Sequence, residues 1–219
     1  MPSLPLFPLA TVLLPGGRLP LQVFEPRYLD LMATLLERPA DQREFGVIAI
    51  RQGHEVGVGR ALALHPVGTA ARLDAVLPGA TVAMPRLQIV TTGTRRFRLE
   101  GLDPDAGTAY PLGRVTWLDE GEPTAGDAQL ALTLRREHAA YLGALGLAPV
   151  TLPDDPARLP YAAADAAVLG LPDRQRLLDG PSLGDRLRSV VEVLRRERAL
   201  VERFGALPTP LQPGGAALN

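Results

Sequence analysis

The chain has 219 residues, 46% of them hydrophobic and 21% charged, with a formal net charge of −1. That length can bury a sizeable core in one large domain or two small ones, and the near-zero charge gives no global field toward nucleic acid or an anionic membrane. Cysteine is absent and all 23 basic residues are arginine, which excludes disulfides, thiol nucleophiles, cysteine zinc sites, lysine-bearing phosphate loops, Ser-Lys dyads and Schiff-base lysines.

The first seventeen residues lack a positive leading segment, and Pro5, Pro8 and Pro15 interrupt any apolar helix, so a secretory signal is not expected. No apolar run elsewhere is long enough to span a bilayer, and a soluble, cytoplasmic protein is expected.

Leu4 to Tyr28 is densely apolar and carries Pro5, Pro8, Pro15, Pro20 and Pro26. Each proline removes a backbone donor and clashes one turn back, so the run must be buried as short extended pieces. Leu19, Leu21 and Val23 alternate with Pro20, Gln22 and Phe24, the period of a strand. Pro15-Gly16-Gly17 supplies a bend, and Pro20 marks an edge or a bulge because it cannot donate to a ladder. The stretch holds more apolar surface than one strand face uses. Leu6, Phe7, Leu21, Phe24, Tyr28 and Met32 are therefore the candidate residues for contact with an apolar polypeptide segment.

Tyr28 to Arg38 has helical spacing, with Tyr28, Leu31, Met32, Leu35 and Leu36 on one face. Phe45 to Arg51, Val56 to His65 and Thr69 to Leu77 read as strands, followed by a turn at Pro78-Gly79. Arg86 to Thr92 and Arg95 to Leu102 are expected to form a hairpin around Gly93-Thr94, and Tyr110 to Leu118 ends the β part. Polar turn residues fill Asp119 to Asp127, and the period then turns helical along Leu130, Leu134, Tyr141 and Leu145. A proline-rich loop is expected over Leu147 to Pro160, then short helices over Tyr161 to Leu169 and from an Asp173 cap to Gly180. The last helix, Leu183 to Phe204, has Ser182 as its cap and Asp185 in its first turn.

Several short patterns imitate chemistry without its context. Gly180-Pro181-Ser182-Leu183-Gly184 spells a nucleophile elbow, but the residues before it are helical and no histidine follows His138. A cap role suits Ser182 better. His54-Glu55 lacks the second histidine of a zinc motif, since position 58 is valine. His65 and His138 have no ligand-like spacing to it and are expected in solvent. Asp103 to Gly107 lacks the bidentate acid of a calcium loop. Gly53, Gly57 and Gly59 do not make a dinucleotide fingerprint. No catalytic, cofactor or metal residue is expected. Arg95, Arg96 and Arg98 bracket Phe97, which would suit a single-stranded nucleic acid; the strand period instead predicts an inward Phe97 and solvent-facing arginines.

The opening LPLFPL, the LLPGGRLPL run, FEPRY leading into LDLM, GTRRFRL at Gly93 to Leu99, and RQRLLDGPSLGDRLRSVVEVL at Arg174 to Leu194 together closely resemble the Lon protease N-terminal domain family. The resemblance spans residues 4 to 204. It implies an α+β chain: a PUA-like β-barrel over residues 1–120, a helical subdomain over 121–205 ending in a long helix, and a flexible tail over 206–219. It also implies a non-catalytic, adaptor-like module that binds unfolded or extended polypeptide and needs no cofactor. Homo-oligomerisation is compatible with it. A nucleic-acid-binding module is the alternative, since PUA-like barrels also bind RNA, but weak or no nucleic-acid binding is expected from the charge.

Overall fold

The computed structural model describes residues 1–52, 63–78 and 86–205. They divide into two compact units, Met1–Leu118 and a second that starts at Asp119. His54-Glu55, the glycines at 53, 57 and 59, Gly79 and residues 206–219 lie outside the described residues.

The first unit is a seven-stranded mixed sheet. Its strands are β1 (Ser3–Leu9), β2 (Arg18–Val23), β3 (Glu44–Gln52), β4 (Ala63–Leu64), β5 (Val67–Pro78), β6 (Leu87–Leu102) and β7 (Leu112–Trp117). Helix α1 (Pro26–Leu36) lies between β2 and β3 in sequence. Neighbouring strands run β1-β7-β6-β5-β3, and β3 also pairs with β1, so the sheet closes into a barrel. The closing pair is parallel, Leu6 opposite Gly46 through Leu9 opposite Ala49.

β1 explains why the opening run is so apolar. Its Phe7 and Leu9 enter one core cluster with Tyr28, Met32 and Phe45, while Leu4 and Leu6 enter another with Phe97 and Val115. Successive strand residues point to opposite faces, so a strand buried on both faces must be apolar throughout. Phe7 stacks on Tyr28 with ring centroids 4.0 Å apart and tilts against Phe45 at 5.8 Å.

β6 departs from the expected hairpin. It runs unbroken through Gly93-Thr94, pairing along one side with β5, and along the other with β2 (residues 87–92) and then β7 (residues 97–102). Gly93 is not a turn residue. A Cβ there would lie 2.3 Å from the Leu14 carbonyl oxygen, and the Gly93 N–H and C=O bond Gly17 and Gly16. The glycine lets the Pro-Gly bend press onto the strand. Thr69 donates to the Leu13 carbonyl at 2.7 Å and Thr91 to that of Leu19 at 3.0 Å, fastening the same segment.

The second unit contains α2 (Ala125–Ala144), α3 (Leu159–Asp165), α4 (Leu171–Asp179) and α5 (Leu183–Phe204). Two expectations change. Asp173 sits in the first turn of α4 rather than capping it, because Gly170 takes the cap position and Leu171-Pro172 open the helix. α3 starts earlier and ends at Asp165. α5 has the expected bounds, and its 22 residues give about 33 Å of helix. α2 and α5 run side by side in one direction: Glu137 pairs with Arg195 at 3.0 Å and Arg198 at 3.3 Å.

Candidate functional site

The sequence-derived candidates separate by burial. Leu6, Phe7, Leu21, Tyr28 and Met32 are buried, while Phe24 is 37% exposed. The apolar surface of the first five is already used by the cores they build. Phe24 alone of the six is exposed.

Phe24 follows directly on β2, and the surroundings of that strand form the candidate site. β2 pairs with β6 and with no other described strand. Leu21 and Val23 point into the core and Leu19 packs against it, so Arg18, Pro20 and Gln22 face outward. Across the sheet the outward rows are Arg18–Thr92–Arg72, then Pro20–Val90–Ala75, then Gln22–Gln88–Leu77. Val90 is half-buried, and Ala75 and Leu77 are exposed. The face is thus apolar in its middle and polar toward Arg18.

The side of β2 away from β6, which no described strand pairs, has its own pattern. The Gly17 carbonyl turns toward Gly93. By antiparallel alternation the backbones of Leu19, Leu21 and Val23 also serve β6, and those of Arg18, Pro20 and Gln22 point away. Pro20 stands where its missing N–H takes nothing from β6, the position expected of a proline on an edge. The edge therefore offers carbonyls at residues 18, 20 and 22 and N–H groups at residues 18 and 22.

At the polar end, Asp74 accepts from Thr92 and from Arg72 at 2.9 Å. Burial opposes its charge, but the hydrogen bond from Thr92, the bond and charge of Arg72 and the charge of Arg18 together hold its carboxyl below the ordinary range.

The arginine cluster on β6 does not form one basic stripe. Phe97 is inward as expected, but Arg96 is only 2% exposed, contrary to the strand period. Register shifts between β5 and β6 on one side of it break the simple alternation. Arg95 lies over the Trp117 ring at 3.6 Å and pairs with Glu44 at 3.3 Å. That removes one cation from any phosphate-binding row.

Ser182 is a cap. Its Oγ accepts from the Asp185 N–H at 3.1 Å and donates to the Asp185 carboxylate at 2.6 Å. It follows α4 rather than a strand, so the elbow geometry is absent. Among the described residues no cluster of metal-ligating side chains occurs, and no helix is long and apolar enough to cross a membrane.

Sequence reasoning missed two features of the second unit. Arg186, on α5, is 0% exposed; it donates to the carbonyls of Gly180 and Glu120 and pairs with the Glu120 carboxylate at 2.9 Å. Tyr161 donates to the same carboxylate at 2.7 Å. The sequence signal was faint, since Arg186 sits one position from Leu187 on the apolar stripe of α5.

His138, expected in solvent, is buried on α2 with its Nε2 unpartnered. Burial pushes its pKa below the ordinary histidine value. The unfolded chain therefore takes up a proton as pH falls through about 6.5, while the folded protein stays neutral. His138 gives full stability above that pH and loses it as the pH falls toward the depressed folded value. Urea unfolding at about pH 7 and about pH 5.5 should show lower stability at the acid end, with a shallower decline in His138→Gln. Equal declines in the two proteins would sink this assignment.

The family model described as ATP-dependent protease La (LON) substrate-binding domain matches residues 3–196. Among solved structures, the crystal structure of a Lon N-terminal domain protein from Xanthomonas campestris is similar over 88% of this chain and 98% of that chain, with 28% identity and a TM-score of 0.64. The N-terminal domain of the Mycobacterium avium complex Lon protease matches 89% of this chain and 98% of that one, with a TM-score of 0.66; at 17% identity it shows a shared fold. No curated protein matches the chain.

Proposed function

The chain belongs to the family of the ATP-dependent protease La (LON) substrate-binding domain, and from that premise we propose that it is a non-catalytic module that takes up unfolded or extended polypeptide at the β2 edge and the adjoining sheet face. The observation that carries this reading is the edge of β2 that no described strand pairs, beside Phe24 and the outward Pro20, Val90 and Leu77. An extended segment adds main-chain hydrogen bonds at such an edge, and its side chains meet the apolar face.

The proposal includes an adaptor role in the cytoplasm, which the cysteine-free sequence suits. The 219 residues contain no lysine and hence no lysine-bearing phosphate loop, which supports binding without ATP hydrolysis. Nucleic acid fits less well, because Arg96 is buried and Arg95 is engaged by Trp117 and Glu44.

Affinity should be on the order of micromolar or weaker, since a flexible chain loses entropy on ordering. Calorimetric titration with a reduced, unfolded model protein should give binding that its folded form does not. Phe24→Asp should weaken that binding several-fold, by roughly 1 kcal/mol, while leaving stability nearly unchanged. Negligible binding of both forms would remove the polypeptide reading.

A further inference from the structure

We propose that the polypeptide taken up beside β2 is an extended segment with an apolar middle and an acidic residue at each end, the two acids meeting Arg18 and Arg86. This rests on the polypeptide-binding reading above and names the chemistry of the chain that binds there.

Positive charge is in surplus at both ends of the face. At one end Arg18, Thr92 and Arg72 share a row. Thr92 and Arg72 hold Asp74 by hydrogen bonds, whereas Arg18 acts on it through charge alone. The Arg18 guanidinium therefore keeps its donors for a second carboxylate. At the other end the β2–β6 register, carried one residue past Val23 and Leu87, sets the exposed Arg86 opposite Phe24. Arg86 makes no hydrogen bond or ion pair among the described residues. The acids that flank these rows are engaged: Glu44, opposite Arg72 on β3, pairs with Arg95 at 3.3 Å, and Glu25, next to Phe24, pairs with Arg27 at 2.7 Å. The guanidinium groups of Arg18, Arg72 and Arg86 thus stand against the Asp74 carboxylate. Between the two ends Pro20, Val90, Ala75 and Leu77 are apolar, and Gln22 and Gln88 carry no charge.

Strand geometry sets the pattern. From the Arg18 row to the Phe24 row is six residues along the strand, roughly 20 Å. In an extended occupant, residues six apart share a face, with those two and four along lying between them. Arg86 stands one strand in from β2, about 4.8 Å away, a step that its long side chain spans. An occupant that reads acid, apolar, apolar, acid at alternate positions therefore meets a cation at each end and apolar surface between. A nucleic-acid strand carries phosphates along its whole length and would set them against the uncharged middle.

The test uses the full chain and three fluorescent, unstructured peptides of matched length and the same apolar middle. Two positions six apart are both Glu in the first, both Gln in the second and both Lys in the third. Anisotropy titrations at low salt should rank Glu over Gln over Lys, with roughly ten-fold between the first two, and about 0.5 M salt should erase most of that gap. Arg18→Gln and Arg86→Gln should each remove part of the gap, and the double variant nearly all of it. Neither side chain makes a hydrogen bond among the described residues, so the variants should fold as the parent does, which circular dichroism checks. Equal or absent binding of the three peptides, or a gap that survives in the double variant, while an unfolded model protein still binds, would overturn the acidic pattern and leave the polypeptide reading standing. Failure of the unfolded protein as well would remove both. A single-stranded oligonucleotide bound more tightly than the Glu peptide, and lost in the double variant, would assign the face to nucleic acid instead.

Discussion

Replacing Arg186 by alanine is expected to lower stability by about 3–5 kcal/mol, the range for breaking a buried ion pair on one side. The side chain is 0% exposed and fills the space beside Gly180, where an added Cβ would come 2.6 Å from its Cγ. Its removal leaves the carbonyls of Gly180 and Glu120 without their donor and leaves the Glu120 carboxylate with Tyr161. Tyr161→Phe removes one hydrogen bond from the same node and should cost about 1 kcal/mol. Denaturant unfolding followed by circular dichroism checks both. A loss below about 1 kcal/mol for Arg186→Ala would mean that the node contributes little.

Phe7→Ala should be comparably severe, about 3–5 kcal/mol. Phe7 packs against Tyr28 and Phe45 in the larger core cluster, and its truncation leaves a cavity there. Phe24→Ala, one strand further on, should cost about 1 kcal/mol or less, because its ring is partly in solvent. The pair separates core from contact surface. Unchanged stability with lost polypeptide binding in Phe7→Ala would return Phe7 to the binding surface and contradict the packing described here.

The contrast between these phenylalanines also marks how far the sequence could be read. The fold class, the edge character of Pro20, the cap at Ser182 and the bounds of α5 follow from local chemistry: a missing donor, a hydroxyl before a helical stripe, a glycine after it. The family resemblance likewise rested on short runs with fixed order. The excess apolar surface of residues 4–24 was legible, but not its destination. Whether a surplus faces a partner or a second core depends on which strands lie on each side. For β1 these are β3 and β7, more than thirty and a hundred residues away. Gly93 shows the same limit, since its turn-like signature reflects the approach of Leu14 from a distant segment. The burial of Arg96 and His138 depended on a register shift and on helix packing, and neither leaves a local pattern.

The pairing of β1 with β3 and β7 also bears on how the protein is made. β1 emerges from the ribosome before both its partners, the second of which ends at Trp117, and at 5–20 residues per second the wait is roughly 5–20 s. Throughout that interval the apolar LPLFPL segment has no completed barrel to enter, and its exposed apolar surface invites association with other chains. Pro5 and Pro8 interrupt the row of donors that strand pairing between chains needs, yet both fit the finished strand. In a nascent chain they are expected to act as gatekeepers. Their replacement by valine should leave the folded protein intact while raising the fraction that aggregates during synthesis.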